Sequence, residues 1–322
     1  MIASPAEDRL GTCSIAVFAP SPALTITIES GPPGPEVHLH PGGQGYWVGR
    51  MAARLGADVT LCMPLGGESG AVLNALLAAE PVAVLSTHVG GANGSYVHDR
   101  REGHRVVISE TESPALRRHE LDDLYDTMLA AALDADIALL TGPRNAGVLP
   151  AQVYERLTRD LRENDVRVLA DLSGEPLRAS LRGGLELVKG SVEELLVDGW
   201  ARAGHREAVA GVARRLHSAG AEMVVVSRGA EGAIALFDGR LFDAHPPRVS
   251  EVDVRGAGDS MFAALGVGLG SGLDPEDALR MAVAAGTLNV TRHGLGTGRA
   301  SEIRRLAGHV GLIELKMPAD AG

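Results

Sequence analysis

The sequence is poor in cysteine and in aromatic residues. Two cysteines among 322 residues, Cys13 and Cys62, form no CxxC pair, which excludes a disulfide framework and the spacing of a structural zinc site. Both read as small buried hydrophobes, and a reducing compartment fits. Aromatics make up 3% of the chain against 45% hydrophobic residues, so the core must be built from Ala, Val and Leu, which suits helices packed on a parallel sheet. Positive charge is short too: 30 Lys and Arg stand against 41 Asp and Glu, a net charge of −11. That balance repels polyanions, so general binding to nucleic acid or an anionic membrane is excluded and any phosphate site must be local. No window approaches the ~20 apolar residues of a membrane span. The first residues, MIASPAEDRLGT, lack the basic-then-apolar order of a secretion leader, and a cytoplasmic location is expected. Also missing are a GxxxxGKS/T loop and a GxGxxG turn after the first strand, which sets aside P-loop enzymes and dinucleotide dehydrogenases.

What the chain does have is rhythm. Apolar stretches between residues 13 and 28, and Val37/Leu39 alternation over Glu36–His40, read as strands. The spacing of Val48, Met51, Ala52 and Leu55 predicts a helix over Gly45–Leu55 ended by Gly56, with a strand at Val59–Met63. Tyr96–His98 and Arg105–Ile108 flank the polar turn 99–104 like a hairpin. Beyond it the alternation is regular: helices at 118–133, 152–164, 175–182 and 206–219, strands at 137–141, 167–171, 185–189 and 223–227, a hairpin over 233–242, and closing helices at 259–269, 275–288 and 300–310. The pattern predicts an α/β fold, a doubly wound mostly parallel sheet with ligands at the carboxyl ends of its strands. The two strand excursions, near 13–42 and 82–110, are expected to form a small β-sheet lid on a single domain spanning 1–322.

The stretch Asp253-Val254-Arg255-Gly256-Ala257-Gly258-Asp259 opens an apolar helix with glycines and an acid. Glycines let backbone approach a ligand, and amides at a helix N-terminus attract anionic charge. In the first turn, Asp259 can take a proton from an attacking hydroxyl. The same residues also suit an ordinary cap on a tight turn.

This stretch resembles the DTxGAGD signature of the PfkB carbohydrate kinase family, part of the ribokinase-like superfamily, with Val254 at the usual Thr. Pro41-Gly42-Gly43-Gln44-Gly45-Tyr46-Trp47-Val48-Gly49-Arg50 and Leu65-Gly66-Gly67 are similar to the PGGKGxNVAR…LGG run of the 1-phosphofructokinase and tagatose-6-phosphate kinase branch. Weaker matches follow in order: Thr141-Gly142-Pro143, Asp171-Leu172-Ser173-Gly174-Glu175, Lys189-Gly190-Ser191-Val192-Glu193-Glu194 and Ser227-Arg228-Gly229-Ala230-Glu231-Gly232.

The resemblance implies ATP-dependent phosphorylation of a sugar, sugar phosphate or related polyol, with Asp259 as base and Gly256, Ala257 and Gly258 as anion hole. Glu194 would order Mg2+ through water, beside Ser191 where Asn is usual. Lys189, Ser191, Ser227, Gly229 and Gly232 would line the nucleotide, and Asn289 would border its adenine. Thr25, Gly42, Gly43, Gln44, Trp47 and Arg144 would face the acceptor. Here the departures concentrate: Thr25 stands for an acid, Gln44 for Lys, Trp47 for Asn, and Ala92 near an expected Arg. A neutral Gln cannot supply the charge-assisted bond that Lys gives a phosphate. A nucleoside or unphosphorylated sugar therefore stays open as acceptor, and so does a catalytically decayed sugar-phosphate or nucleotide-binding protein. A lid sheet has edges that a second copy can cover, so a homodimer through the lid is expected.

Overall fold

The structure, a computed structural model, describes residues 12–292 and 294–315. Most of the N-terminal stretch read for a leader lies outside the described residues. The chain runs β1 (Ser14–Phe18), β2 (Ala23–Gly31), β3 (Gly34–Gly42), α1 (Gln44–Leu55), β4 (Asp58–Leu65), α2 (Gly67–Leu77), β5 (Ala83–His88), β6 (Gly94–Asp99) and β7 (Val106–Thr111). It continues with α3 (Arg118–Leu133), β8 (Ile137–Thr141), α4 (Gln152–Glu163), β9 (Val168–Asp171), α5 (Gly174–Gly183), β10 (Leu185–Ser191), α6 (Val192–Val197), α7 (Arg206–Ser218) and β11 (Ala221–Ser227). Then come β12 (Ala233–Phe237), β13 (Arg240–His245), α8 (Ala257–Gly270), α9 (Pro275–Val290), α10 (Ala300–Ala307) and β14 (Gly311–Glu314).

Ten strands form one sheet in the order β14-β13-β12-β11-β10-β9-β8-β1-β4-β5. The pairings from β11 to β5 are parallel, and those from β11 to β14 antiparallel. Both faces are covered, which is why the central strands are apolar throughout. On β1, Ile15 and Val17 join the core that includes Met51, Phe262 and Leu265, while Ala16 and Phe18 join the one that includes Leu140, Tyr154 and Leu157. The alternation of strand side chains divides the core into these two layers. α8 is buried from Ser260 to Leu269, so a helix that begins at the carboxyl edge of the sheet runs through the protein interior.

β3-β2-β6-β7 form a separate four-stranded sheet, with β2–β6 parallel and the outer pairs antiparallel. Its extent differs from the expected 13–42 and 82–110. β1 belongs to the large sheet because it is apolar on both faces and pairs with β4 and β8. β5 joins that sheet's edge beside β4, leaving 23–42 and 94–111 to the small sheet. α2 was not expected, although β4 and β5, being parallel, need a crossover between them.

Candidate active site

The carboxyl ends of β9 and β10 carry Asp171 and Lys189, which face each other in the parallel register. Both are buried, and Lys189 Nζ donates to Asp171 Oδ2 at 3.0 Å. Burial works against the ammonium charge, but Asp171 and Glu194 outweigh it and raise the Lys189 pKa.

Above this pair begins α8. Gly256 caps the helix in the left-handed region (φ 69°), and a Cβ there would stand 2.9 Å from Leu295 Cδ2. Only glycine meets both demands. Asp259 lies in the first turn, part-buried and lining the cleft. Its pKa is pushed up to about 7, first by burial, then by the Asp171 and Glu194 carboxylates, against the pull of Lys189.

A cleft of about 840 Å³ opens from this point. Its lining includes Gln44, Lys189, Ser191, Glu194, Ser227, Gly229, Gly232 and the run from Gly256 to Asp259, so residues far apart in sequence meet as expected. Gln44, at the head of α1, spends its amide on protein: Oε1 accepts from Gly142 N–H at 2.9 Å and Nε2 donates to the Asp171 carbonyl at 3.4 Å. Ser191 and Glu194 form a capping box on α6, with Ser191 N–H and Oγ donating to Glu194 Oε2 at 2.9 and 2.7 Å. Both of these bonds fall on Oε2, and Glu194 Oε1 accepts no hydrogen bond from the described residues. Ser227 Oγ donates weakly to the Gly190 carbonyl at 3.4 Å. At Gly232 (φ 93°) a Cβ would strike the Ala244 carbonyl at 1.9 Å.

Asn289, expected to border the adenine, is not among the side chains that line the cleft. It is buried, it donates to the Arg255 carbonyl at 2.6 Å, and it accepts from Ser260 Oγ and Gly296 N–H at 3.2 Å each. It braces the loop before α8, and its neighbours Gly286, Thr287 and Val290 line the cleft instead. Sequence reasoning missed this apolar wall, to which Pro246, Pro247 and Val249 also belong. The paired prolines after β13 were its one visible signal.

The acceptor-side residues other than Gln44 gather elsewhere, around the small sheet. Thr25 on β2 is buried with Oγ1 unpartnered. A Cβ at Gly42 would stand 2.6 Å from that oxygen, and Gly43 has φ 100°. Trp47 packs edge-on against Tyr46, 4.7 Å between centroids. Arg144 binds Glu110 of β7 through Nε at 3.0 Å. Also missed were Arg100 and Asp253: Arg100, between β6 and β7, donates to Asp253 Oδ2 at 3.0 Å, tying the small sheet to the loop before α8.

Fold and site together define a ribokinase-like small-molecule kinase. The family model "pfkB family carbohydrate kinase" matches residues 10–302, and the chain belongs to that family. It is 32% identical over 266 residues to an ATP-dependent 6-phosphofructokinase isozyme 2 of Escherichia coli strain K12, covering 80% of this chain and 83% of that protein. It is 28% identical over 280 residues to a 1-phosphofructokinase of Vibrio cholerae, covering 83% and 84%. A crystal structure of Escherichia coli phosphofructokinase-2 with potassium superposes with a TM-score of 0.83 at 26% identity, covering 92% and 99%. Arabidopsis thaliana ribokinase with ribose and ATP shares the fold, at a TM-score of 0.73 and 20% identity over 92% and 99% of the chains.

The protein is thus a carbohydrate kinase, a phosphotransferase with an alcohol acceptor. The described residues hold no group of three or more His, Cys, Asp or Glu side chains placed to hold a metal ion. No helix among the described residues is long and apolar enough to cross a membrane.

Proposed function

We propose that the cleft phosphorylates a hydroxyl of a sugar, sugar phosphate or related polyol, with Asp259 as base and the amides of Gly256, Ala257 and Gly258 as anion hole. The observation that carries this reading is Asp259 itself: a carboxyl with pKa about 7, at the head of a glycine-started helix, on the wall of the cleft. A base poised near the working pH is what proton removal from an alcohol requires.

The acceptor oxygen forms a bond to the γ-phosphorus while its proton passes to Asp259. The bond from that phosphorus to the β,γ-bridging oxygen breaks, and ADP leaves with the electron pair. The helix amides and the charge of Lys189 stabilise negative charge on the transferring group. Glu194, through Oε1, and Glu193 would hold the hydrated magnesium, which when bound neutralises charge on the nucleotide phosphates. The wall of Pro246, Val249, Val283 and Val290 suits a flat base, and the left-handed turn at Gly229 and Gly232 leaves room for ribose and phosphates.

A second reading, an unphosphorylated sugar or nucleoside as acceptor, is favoured by Gln44, whose neutral amide is already committed to Gly142 and Asp171. Both readings are tested by Mg2+- and ATP-dependent ADP release over a panel of hexoses, pentoses, their monophosphates and nucleosides. Asp259→Asn is expected to lower turnover by orders of magnitude while nucleotide still binds. ATP binding without turnover on any acceptor would point to a decayed binding protein.

The chain is further proposed to pair with a second copy through the small sheet, a reading supported by the exposed Val37 and Leu39 on β3 and Val106, Val107 and Ile108 on β7. Charge introduced by Val107→Lys should reduce the sedimentation mass.

A further inference from the structure

Arg228 and Asp243 form a buried ion pair for which the proposed chemistry has no use. Arg228 directly follows β11, and Asp243 lies on β13. Their side chains are 6% and 2% exposed, and Arg228 Nη2 donates to Asp243 Oδ1 at 2.7 Å. The register explains how they meet: Val226 of β11 pairs with Ile234 of β12, and Ile234 with Asp243. Residues paired in this way share one face of the sheet, and Val226 and Ile234 belong to the same core layer. Arg228 therefore reaches past the start of β12 to an acid set beside that apolar layer.

The same arginine closes the turn from β11 to β12. Its backbone N–H donates to the Gly232 carbonyl at 2.7 Å, and its carbonyl accepts from Glu231 N–H at 3.1 Å. The guanidinium adds a second grip, Nη1 donating to Glu231 Oε2 at 3.0 Å and Nη2 to the Glu231 carbonyl at 3.3 Å. Between these ties lie Gly229 and Ala230, which with Gly232 line the cleft. The turn is thus seated on β13 at two adjacent residues, on Asp243 through the arginine and on Ala244 through the close approach of Gly232.

Stability alone does not account for the pair. Taking a guanidinium and a carboxylate out of water can cost more than their attraction contributes, and apolar side chains of similar size often serve a fold as well or better. Arg228 Nε is also buried without a partner, which adds to the cost. What the ions supply, and apolar groups do not, is direction: a planar fork whose donors reach Glu231 and Asp243 together fixes where the turn sits. We propose that Arg228 is a positioning residue for the nucleotide, holding through Asp243 the Gly229–Gly232 turn at the place where it meets ATP. Arg206 Nη1 at 3.7 Å and His245 Nε2 at 3.4 Å engage the other oxygen of Asp243, which keeps Oδ1 turned to Arg228. This rests on the reading of the cleft as a nucleotide site.

The test separates positioning from packing. ATP is titrated calorimetrically into wild type, Arg228→Met, Arg228→Lys and the double variant Arg228→Met/Asp243→Leu, with melting curves for all four and with KM for ATP and for the acceptor measured by ADP release. Arg228→Met leaves a buried carboxylate unpaired and should melt several degrees below wild type, while the double variant removes both charges and should recover most of that loss. If the pair only packs, ATP affinity returns with the fold. The proposal expects instead that the folded double variant binds ATP about tenfold more weakly than wild type, the worth of one well-placed hydrogen bond. The KM for ATP should rise to match, with a smaller change in kcat and none in the acceptor KM. Arg228→Lys keeps the charge but not the fork, and its ATP affinity should fall between the two. Wild-type ATP affinity in the folded double variant, or in Arg228→Lys should the double variant not fold, overturns the proposal and leaves the nucleotide site standing. If wild type itself binds no ATP, the nucleotide reading falls and the proposal falls with it.

Discussion

The ammonium of Lys189 fills the space that a side chain at Gly258 would need: a Cβ there would stand 2.8 Å from Nζ. Lys189 cannot retreat easily, because it is buried and held at 3.0 Å by Asp171. Gly258→Ala should therefore displace the charge beneath the proposed anion hole rather than merely crowd the helix. The expected outcome is a fall in kcat of about 100-fold, the cost of losing one preorganised electrostatic contact, with a smaller change in the KM for ATP. Steady-state kinetics on the folded variant checks it.

Asp259 links activity and stability to pH in opposite directions. As the proposed base it must be ionised, so kcat/KM should rise through pH 7, near its pKa of about 7, and fall about tenfold per pH unit well below it. For stability the sign reverses: a carboxyl whose folded pKa is raised favours the fold while protonated, and that contribution is lost as pH rises through about 7. Asp259→Asn should accordingly melt about 2–4 °C above wild type at pH 8, and the difference should vanish near pH 4. Scanning calorimetry at the two pH values decides it.

Much of this was legible in the sequence where local pattern and tertiary role agree. Helix α3 and strand β8 fall on the expected residues because their apolar spacing is undisturbed. The GAGD turn was legible as a helix start from its glycines and acid, and only its resemblance to a family signature set it apart from an ordinary cap. The bracing by Asn289 was not legible because it consists of three hydrogen bonds to distant backbone and side-chain atoms, which spacing does not display. The Arg228–Asp243 pair was invisible, since only the pairing of β11, β12 and β13 brings the two residues together. The small sheet was read too wide because β1 and β5 are extended like its strands, and only pairing partners distinguish them.

Ser191 caps α6 and holds one oxygen of Glu194. Ser191→Ala should cost about 0.5–2 kcal/mol of stability and free the carboxylate to wander, raising the Mg2+ concentration needed for half-maximal rate. Ser191→Asn keeps a good cap and should spare stability. Urea unfolding and Mg2+ titration separate the two effects.

Asp253 joins the small sheet to the loop before α8. Its pKa is lowered to about 2, chiefly by the hydrogen bond from Arg255, with Arg100 adding to the effect. Its stabilising contribution is present above its unfolded value and lost as pH falls toward 2. A double-mutant cycle of Arg100→Gln and Asp253→Asn at pH 7 should give a coupling of about 1 kcal/mol. A coupling near zero would mean that the small sheet is not held through this pair.

The central claim is that Asp259 takes the proton of the acceptor hydroxyl. The most direct measurement is the pH profile of kcat/KM for ADP release with a sugar monophosphate, for wild type and Asp259→Asn, with ATP affinity determined separately. The account predicts an acidic limb near pH 7 in wild type, a variant slower by orders of magnitude with no such limb, and ATP binding retained in both. A variant that keeps its rate within tenfold, or keeps the limb, would contradict it.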